Sequence, residues 1–268
     1  MNCKLLGVDF SSAPTRHKPI TVARGSLHGH VLRLEELLAL PSLADLAALL
    51  QSGEWLGGFD FPFGLPRELA VSLGWPLQWG ELMSRYALMP RAEIRASFKA
   101  FCDARPVGGK FAHRACDAHS GAHASMKWVN PPVAYMMHAG VPLLIGADAT
   151  LPGLRAGRTD RIALEAYPGL LAREVLGRRS YKSDDAAKQT AERLIARKDL
   201  IEALEQGRTR LALRLKLTHA QRDALAGDAR GDLLDAVLCL MQAAWASGQP
   251  GYGLPAQMDS LEGWIISA

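Results

Sequence analysis

The sequence predicts an α/β fold, with a mixed five-stranded sheet flanked by helices and with helical and loop insertions. Two observations lead to this prediction. Short apolar segments that are typical of strands occur in both halves of the chain, and segments of helical length separate them. The chain has 268 residues, of which 49% are apolar and 22% are charged, and this is enough to bury one large core.

Three strands are predicted at the start of the chain. Lys4–Phe10 is apolar and ends in Asp-Phe, and Ile20–Ala23 and Val31–Leu34 have the branched apolar residues that strands favour. The segment GSLHGH between the last two has the small and polar residues of a turn. We therefore expect three consecutive strands before the first helix.

A helix and a fourth strand follow. Ser42 can accept a backbone hydrogen bond at a helix N-terminus, and Asp45 stands three residues on, so a helix is predicted through Gln51. Trp55–Asp60 is the fourth strand and is apolar apart from its terminal aspartate. The next stretch has helical composition and is interrupted by prolines at Pro66, Pro76 and Pro90.

The middle of the chain has no regular period. Residues 104–131 carry many polar side chains and are predicted to form a long functional loop. A helix is expected to open at Pro131-Pro132 and to close at Gly140. Arg161–Ala166 is the fifth predicted strand.

The last third of the chain is predicted to be mainly helical. Pro168 starts a helix, and residues 183–226 are interpreted as helical and basic. Gly231–Ala246 is apolar nearly all round, which is typical of a buried helix.

Charge is distributed unevenly along a chain whose formal net charge is +4. Bases outnumber acids in residues 91–130 and 151–230, whereas acids outnumber bases in residues 1–90 and 231–268. An acidic pocket surrounded by basic surface suits a metal site that acts on a polyanion. Solvated Arg and Lys helix faces would produce the same pattern.

Composition also indicates a cellular compartment. No apolar run reaches membrane-spanning length and no secretory leader pattern is present, so we expect a soluble cytoplasmic protein without membrane partners. The cysteines are scattered and lack CxxC spacing, which favours reduced thiols over a disulfide framework. They are Cys3, Cys102, Cys116 and Cys239.

Four aspartates are unusual for the segments that contain them. Asp9 and Asp60 end apolar strands, and Asp232 and Asp235 share one face at the start of the otherwise uncharged last helix. Each has an ordinary explanation alone, as a turn former at a strand end or as a residue that complements a helix dipole. Together they would repel one another and raise their pKa values unless a cation lay among them.

Divalent cations are the expected partners of such a cluster. Carboxylate oxygens suit Mg²⁺ and Mn²⁺, and two such ions about 3.5–4 Å apart activate a water and stabilise the leaving oxygen in phosphodiester cleavage. We therefore expect Asp9, Asp60 and Asp235 to be metal ligands, with Asp232 as a further member of the catalytic set.

The order of these segments resembles the RNase H-like superfamily and, more narrowly, a domain-of-unknown-function family of predicted RNase H-like nucleases. The matching segments are GVDFSSA, GFDFPFGLP, LEAYP, YK, GDLLDAVLCLMQAAWA and EGWI. They span nearly the whole chain. The resemblance therefore implies a single domain over residues 1–268, with core strands within 1–60 and 161–166, an insertion at about 67–160 and a site helix at 231–246.

The strand pattern is expected to give the spatial order 3-2-1-4-5, with strand two antiparallel. The resemblance then implies that Asp9 and Asp60 are adjacent on parallel neighbours and that the last helix closes the metal cluster. Glu165, on strand five, would be a further ligand or a catalytic base, or else a buried structural glutamate. Glu262, in EGWI, matches the family pattern without an assigned chemistry, and anchoring of Trp264 is an equally good explanation.

Substrate contacts are expected from the polar loop and from the YK segment. Phosphate or substrate binding is predicted for Lys110, His113, Arg114, Lys127 and Lys182. A zinc site is an alternative for part of the loop, although its spacing matches no standard zinc motif. The residues of that alternative are His113, Cys116, His119 and His123.

Three classes of function compete. The first is a metal-dependent nuclease that uses Mg²⁺ or Mn²⁺ on nucleic acid of unknown type. The second is a nucleotide-dependent phosphotransferase of the actin and sugar-kinase type, which usually has a glycine-rich loop after strand one that GVDFSSAPT lacks. The third is a non-catalytic binding protein on the same scaffold, which the complete set of acids disfavours.

Overall fold

Seven strands form one mixed sheet in the computed structural model, which describes residues 4–268 and so leaves Cys3 outside the described part. Across the sheet their order is β5-β6-β4-β1-β2-β3-β7. β2 is antiparallel to both β1 and β3, and the other neighbouring pairs are parallel. The strands are β1 (Lys4–Asp9), β2 (Ile20–His28), β3 (Val31–Leu40), β4 (Trp55–Phe59), β5 (Ala149–Thr150), β6 (Arg158–Glu165) and β7 (Arg214–Lys216).

The α/β class is confirmed, but the expectation of a five-stranded sheet in the order 3-2-1-4-5 is wrong as stated. β5 and β7 are two additional strands, of two and three residues, one at each edge. Segments this short carry no apolar alternation by which they could be recognised. The strands expected from the sequence correspond to β3, β2, β1, β4 and β6, which lie side by side between these edges.

The β2–β3 hairpin is longer than expected. Most of GSLHGH continues the ladder, with Leu27 opposite Leu32, and only Gly29 and His30 form the turn. Gly29 adopts a φ of 58°, a conformation that glycine accepts without strain. Polar residues in β3, such as Glu35, interrupt its apolar pattern, so the sequence predicted only the first part of this strand.

Ten α-helices accompany the sheet in residues 4–268. They are α1 (Leu43–Gln51), α2 (Arg67–Ser72), α3 (Trp79–Leu88), α4 (Arg91–Asp103), α5 (Ala115–Ser120), α6 (Val133–Gly146), α7 (Pro168–Leu176), α8 (Ala191–Glu205), α9 (His219–Gly227) and α10 (Asp232–Ser247). The expected cap of α1 is confirmed, because Ser42 Oγ accepts from Asp45 N at 3.1 Å. The expected start of α7 at Pro168 and the buried α10 are also confirmed.

Three expectations about these segments are corrected. The loop at 104–131 contains the short helix α5, and residues 183–226 contain β7 as well as helices. α6 does not close at Gly140 but continues to Gly146. A Cβ at Gly140 would lie 2.6 Å from the ring of Phe61, so this glycine allows close packing and does not end the helix.

Helices cover both faces of the sheet. α1, α3, α4 and α6 pack on one face, and α7, α8, α9 and α10 pack on the other. α10 lies against the sheet backbone itself: a Cβ at Gly7 would be 2.1 Å from the carbonyl oxygen of Ala236, and one at Gly58 would be 2.5 Å from that of Cys239. Because Gly7 and Gly58 are register partners, they hold α10 across β1 and β4.

Two further expectations concern thiols and membranes. Cys102, Cys116 and Cys239 are free and buried, as expected for reduced thiols. No helix within residues 4–268 combines the length and the apolar character that a membrane span requires.

Candidate functional site

Asp9 and Asp60 lie side by side at the carboxyl ends of β1 and β4. The parallel register pairs Val8 with Phe59, and Asp60 N donates to Val8 O at 3.0 Å. Side chains alternate along a strand, so both aspartates point to the same face as Gly7 and Gly58, which is the face that α10 covers. Both are partly buried.

α10 brings a third carboxylate to this place. Asp235 is fully buried one turn into the helix. Its two oxygens accept hydrogen bonds from Tyr181 Oη and Lys182 Nζ, and the lysine also forms an ion pair with it. We call Asp9, Asp60 and Asp235, together with Lys182, the aspartate cluster.

The members of the aspartate cluster perturb one another strongly. Removal from water and the charge of Asp235 raise the pKa of Asp60 to about 7. The same two causes, with Asp60 and Asp232 adding to them, raise the pKa of Asp9 well above its usual range. Burial opposes the charge of Lys182, but Asp235 and Asp9 outweigh it and raise the pKa of the ammonium.

Hydrogen bonds do not compensate the two strand aspartates. In the part of the chain that the structure describes, no donor reaches the carboxylate of Asp9 or Asp60. Asp232 Oδ2, unlike the oxygens of Asp9 and Asp60, is fully buried without a hydrogen bond, with Arg230 Nε 3.5 Å away. The carboxylates of Asp9 and Asp60 are only partly buried and have no protein donor, so their oxygens can accept a ligand.

Lys182 supplies the neighbouring positive charge in this conformation. Within residues 4–268, no group of three or more His, Cys, Asp or Glu side chains is arranged as a ready-made metal site. The carboxylates therefore meet as an electrostatic cluster around the contact between Lys182 and Asp235.

A second buried group of charges lies one strand away. Arg114 is 1% exposed and donates to Asp117 Oδ1 at 2.8 Å and to Glu165 Oε1 at 2.6 Å. Its remaining N–H groups donate to the same carboxylates and to the carbonyl oxygen of Glu262. We call Arg114, Asp117 and Glu165 the arginine cluster.

The arginine cluster gives structural partners to two of the predicted site residues. All five N–H donors of Arg114 are used inside the protein, and the residue also lines the cleft beside the aspartate cluster. Glu165 also accepts from Phe63 N at 2.9 Å. Glu165 is the partner of a buried arginine in this structure, which agrees with the structural alternative of the sequence analysis.

Glu262 has a structural position that its sequence context did not reveal. Its carboxylate accepts from Arg67 N at 2.7 Å and from Ala115 N at 3.2 Å, the first residues of α2 and α5. One carboxylate therefore caps two helix N-termini, where negative charge is favourable. The ring of Trp264 lies 5.7 Å from that of His119.

The polar loop contributes little to the aspartate cluster. Lys110 and His113 are exposed, and Lys127 is half-buried. Among the residues of the zinc alternative, burial raises the pKa of the Cys116 thiol to about 12, which leaves it neutral. Of the four residues of that alternative, His123 lines the cleft beside the aspartate cluster, whereas His113, Cys116 and His119 do not.

A cleft of about 460 Å³ opens beside the aspartate cluster. Its wall includes Asp60 and Lys182, and also Tyr167 and Arg173, which the sequence interpretation did not select. Tyr181, which orients Asp235, was missed in the same way. Both tyrosines lie inside the segments LEAYP and YK, in which the sequence analysis selected Glu165 and Lys182.

Comparisons with known proteins do not extend this description. No family model, no curated protein and no solved structure matches the chain.

Proposed function

We propose that this protein is a divalent-metal-dependent nuclease that hydrolyses phosphodiester bonds, with an RNase H-like site. The observation that carries the proposal is the convergence of Asp9, Asp60 and Asp235 at one end of the β1–β4 pair. Two of these carboxylates lack hydrogen-bond donors within residues 4–268, and their pKa values are raised. A bound cation would remove the repulsion that this arrangement contains.

The donor set fits Mg²⁺ or Mn²⁺. Asp9, Asp60 and Asp235 would hold the metal, with the unpartnered oxygen of Asp232 nearby, and all of these are the hard oxygen ligands that such ions prefer. When bound, the metal would supply an activated water and would stabilise the leaving oxygen.

The residues of the chain have separate parts in this proposal. Tyr181 fixes the orientation of Asp235 through its hydroxyl. Lys182 stays protonated at neutral pH because its pKa is raised, so its ammonium can hold a phosphate oxygen next to the carboxylates. Lys110, His113 and Lys127 remain candidates for more distant backbone phosphates. The free thiols fit a reducing compartment, and the cytoplasm remains the expected location.

The test is a cleavage assay on single-stranded and double-stranded DNA, RNA, hybrid and branched substrates with Mg²⁺ or Mn²⁺. Asp9→Asn and Asp235→Asn should each reduce cleavage by about 100-fold or more, while nucleic-acid binding stays within about twofold. Asp223→Asn is the matched control, because Asp223 is exposed and far in the chain from the strands of the site. It should cut at the wild-type rate.

Lys110→Ala should behave in the opposite way and weaken binding, which should also fall as salt rises. Cleavage that survives Asp9→Asn at the wild-type rate would contradict the proposal. If no substrate is cut or bound and calorimetry detects ATP binding, the phosphotransferase becomes the better explanation.

A further inference from the structure

The cleft beside the aspartate cluster has a chemistry that metal binding does not explain. Its volume of about 460 Å³ lies in the range of small-ligand sites, roughly 300–1,000 Å³. Much of its wall is apolar and includes Phe61, Pro131 and Met136. A substrate held only through its sugar–phosphate backbone would need a charged groove and would leave this apolar space unused.

Arg173 gives the cleft an unneutralised positive charge. Its guanidinium donates to the carbonyl oxygens of Gly169, Gly121 and Ser120, at 3.1, 2.8 and 2.5 Å. These acceptors are neutral, and no carboxylate of residues 4–268 lies within ion-pair distance of Arg173. These three hydrogen bonds hold the exposed Arg173 side chain at the cleft that it lines.

Tyr167 completes this wall. The guanidinium carbon of Arg173 lies 5.2 Å from the centre of the Tyr167 ring. Tyr167 also lines the cleft together with Asp60 and Lys182 of the aspartate cluster. A stacked arginine–tyrosine pair next to an apolar wall is the combination that binds a planar base together with a phosphate.

We propose that this cleft binds one nucleotide, with its base against the apolar wall and Tyr167 and its phosphate at Arg173. The inference rests on the proposed function, and it narrows the substrate to an unpaired nucleotide, either at a single-stranded segment or free. A base that is paired and stacked in a duplex cannot enter a cleft of this size without leaving its helix.

The experiment is calorimetry in EDTA, which reads binding without cleavage. The probes are a nucleoside 5′-monophosphate, the matching nucleoside, inorganic phosphate, a short single strand and the duplex of the same length. The monophosphate should bind at least about tenfold more tightly than either the nucleoside or phosphate. Binding by the single strand as well identifies a strand as the source, and binding by the monophosphate alone identifies a free nucleotide.

Two pairs of variants locate the binding. Val133→Trp fills the cleft and should weaken monophosphate binding by about tenfold or more, whereas Val129→Trp, at a 50% exposed valine outside it, should not. Arg173→Gln should remove the advantage of the monophosphate over the nucleoside, and the exposed Arg178→Gln should preserve it. If Val133→Trp does not fold, Met136→Trp replaces it.

Equal affinity for monophosphate and phosphate, or unchanged binding in the cleft-filling variant, would overturn the inference. The binding and cleavage results together distinguish a failure of the nucleotide cleft from a failure of the proposed nuclease function. Binding without any cleavage would reject the nuclease and keep the nucleotide cleft, whereas cleavage of duplex and single strand at equal rates, unaffected by Val133→Trp, would reject the cleft and keep the nuclease.

Discussion

The aspartate cluster and the arginine cluster lie at the carboxyl ends of neighbouring strands, but they differ in how completely their charged groups are hydrogen-bonded. In the arginine cluster every N–H donor of Arg114 has an acceptor, and the side chains are buried although Arg114 and Glu165 also line the cleft. In the aspartate cluster two carboxylates have no donor among residues 4–268, and Asp60 and Lys182 line the same cleft. Both contain buried acids, so burial alone does not identify a functional site.

The difference indicates that compensation distinguishes the two roles. A buried charge that is completely paired contributes to one specific packing arrangement and is costly to disturb. A buried charge that is left short of partners destabilises the empty protein and favours a ligand that supplies the missing charge. Substitutions in the two clusters are therefore expected to change the stability of the folded protein in opposite directions.

The largest effect is expected from breaking the arginine cluster. Arg114→Met would leave Asp117 and Glu165 buried without their partner and should lower the unfolding free energy by about 3–5 kcal/mol. Arg179→Met is the control, because its ion pair with Asp199 is half-exposed and should contribute less than about 1 kcal/mol. Chemical denaturation at neutral pH measures both. Equal losses in the two variants would contradict the distinction.

In the aspartate cluster, by contrast, removing a charge should raise the unfolding free energy, by a smaller amount than Arg114→Met lowers it. The pKa of Asp60 is about 7 in the folded protein against an ordinary value of 3.8. Between these values the folded state binds the extra proton, so the unfolding free energy of the metal-free protein should fall as pH rises from about 4 to about 7.

Asp60→Asn should remove this part of the pH dependence. At pH 8 in EDTA the variant should be more stable than the wild type by on the order of 2 kcal/mol, less than the full linkage because the side chain is partly exposed to water. Asp223→Asn should follow the wild-type curve. A marked loss of stability in Asp60→Asn at pH 8 would instead indicate that Asp60 only forms a turn.

Asp9, Asp60 and Asp235 could be selected as candidates from the sequence because each is marked by a local pattern, an acid at the end of an apolar strand or inside an apolar helix. Both strands also share the local pattern Gly-x-Asp-Phe, at residues 7–10 and 58–61. The glycines admit α10, the aspartates face it, and Phe10 and Phe61 pack on the other face, with their ring centres 4.7 Å apart.

The structural partners of other residues could not be predicted, because those partners are distant in the chain. Arg114 looked like a substrate ligand because its partner Glu165 is 51 residues away. Glu262 had no evident chemistry because the amides that it binds are 195 and 147 residues away. Composition shows that a charge is present, and only the tertiary structure shows whether it is already paired.

Thermal unfolding with and without millimolar Mn²⁺ tests the central claim most directly, because a cation that binds only the folded aspartate cluster must stabilise it. The account predicts a rise of several degrees for the wild type and for Asp223→Asn, corresponding to about 2.7 kcal/mol at a hundredfold excess over Kd, and no rise for Asp235→Asn. An absent rise in the wild type, or an equal rise in Asp235→Asn, would contradict it.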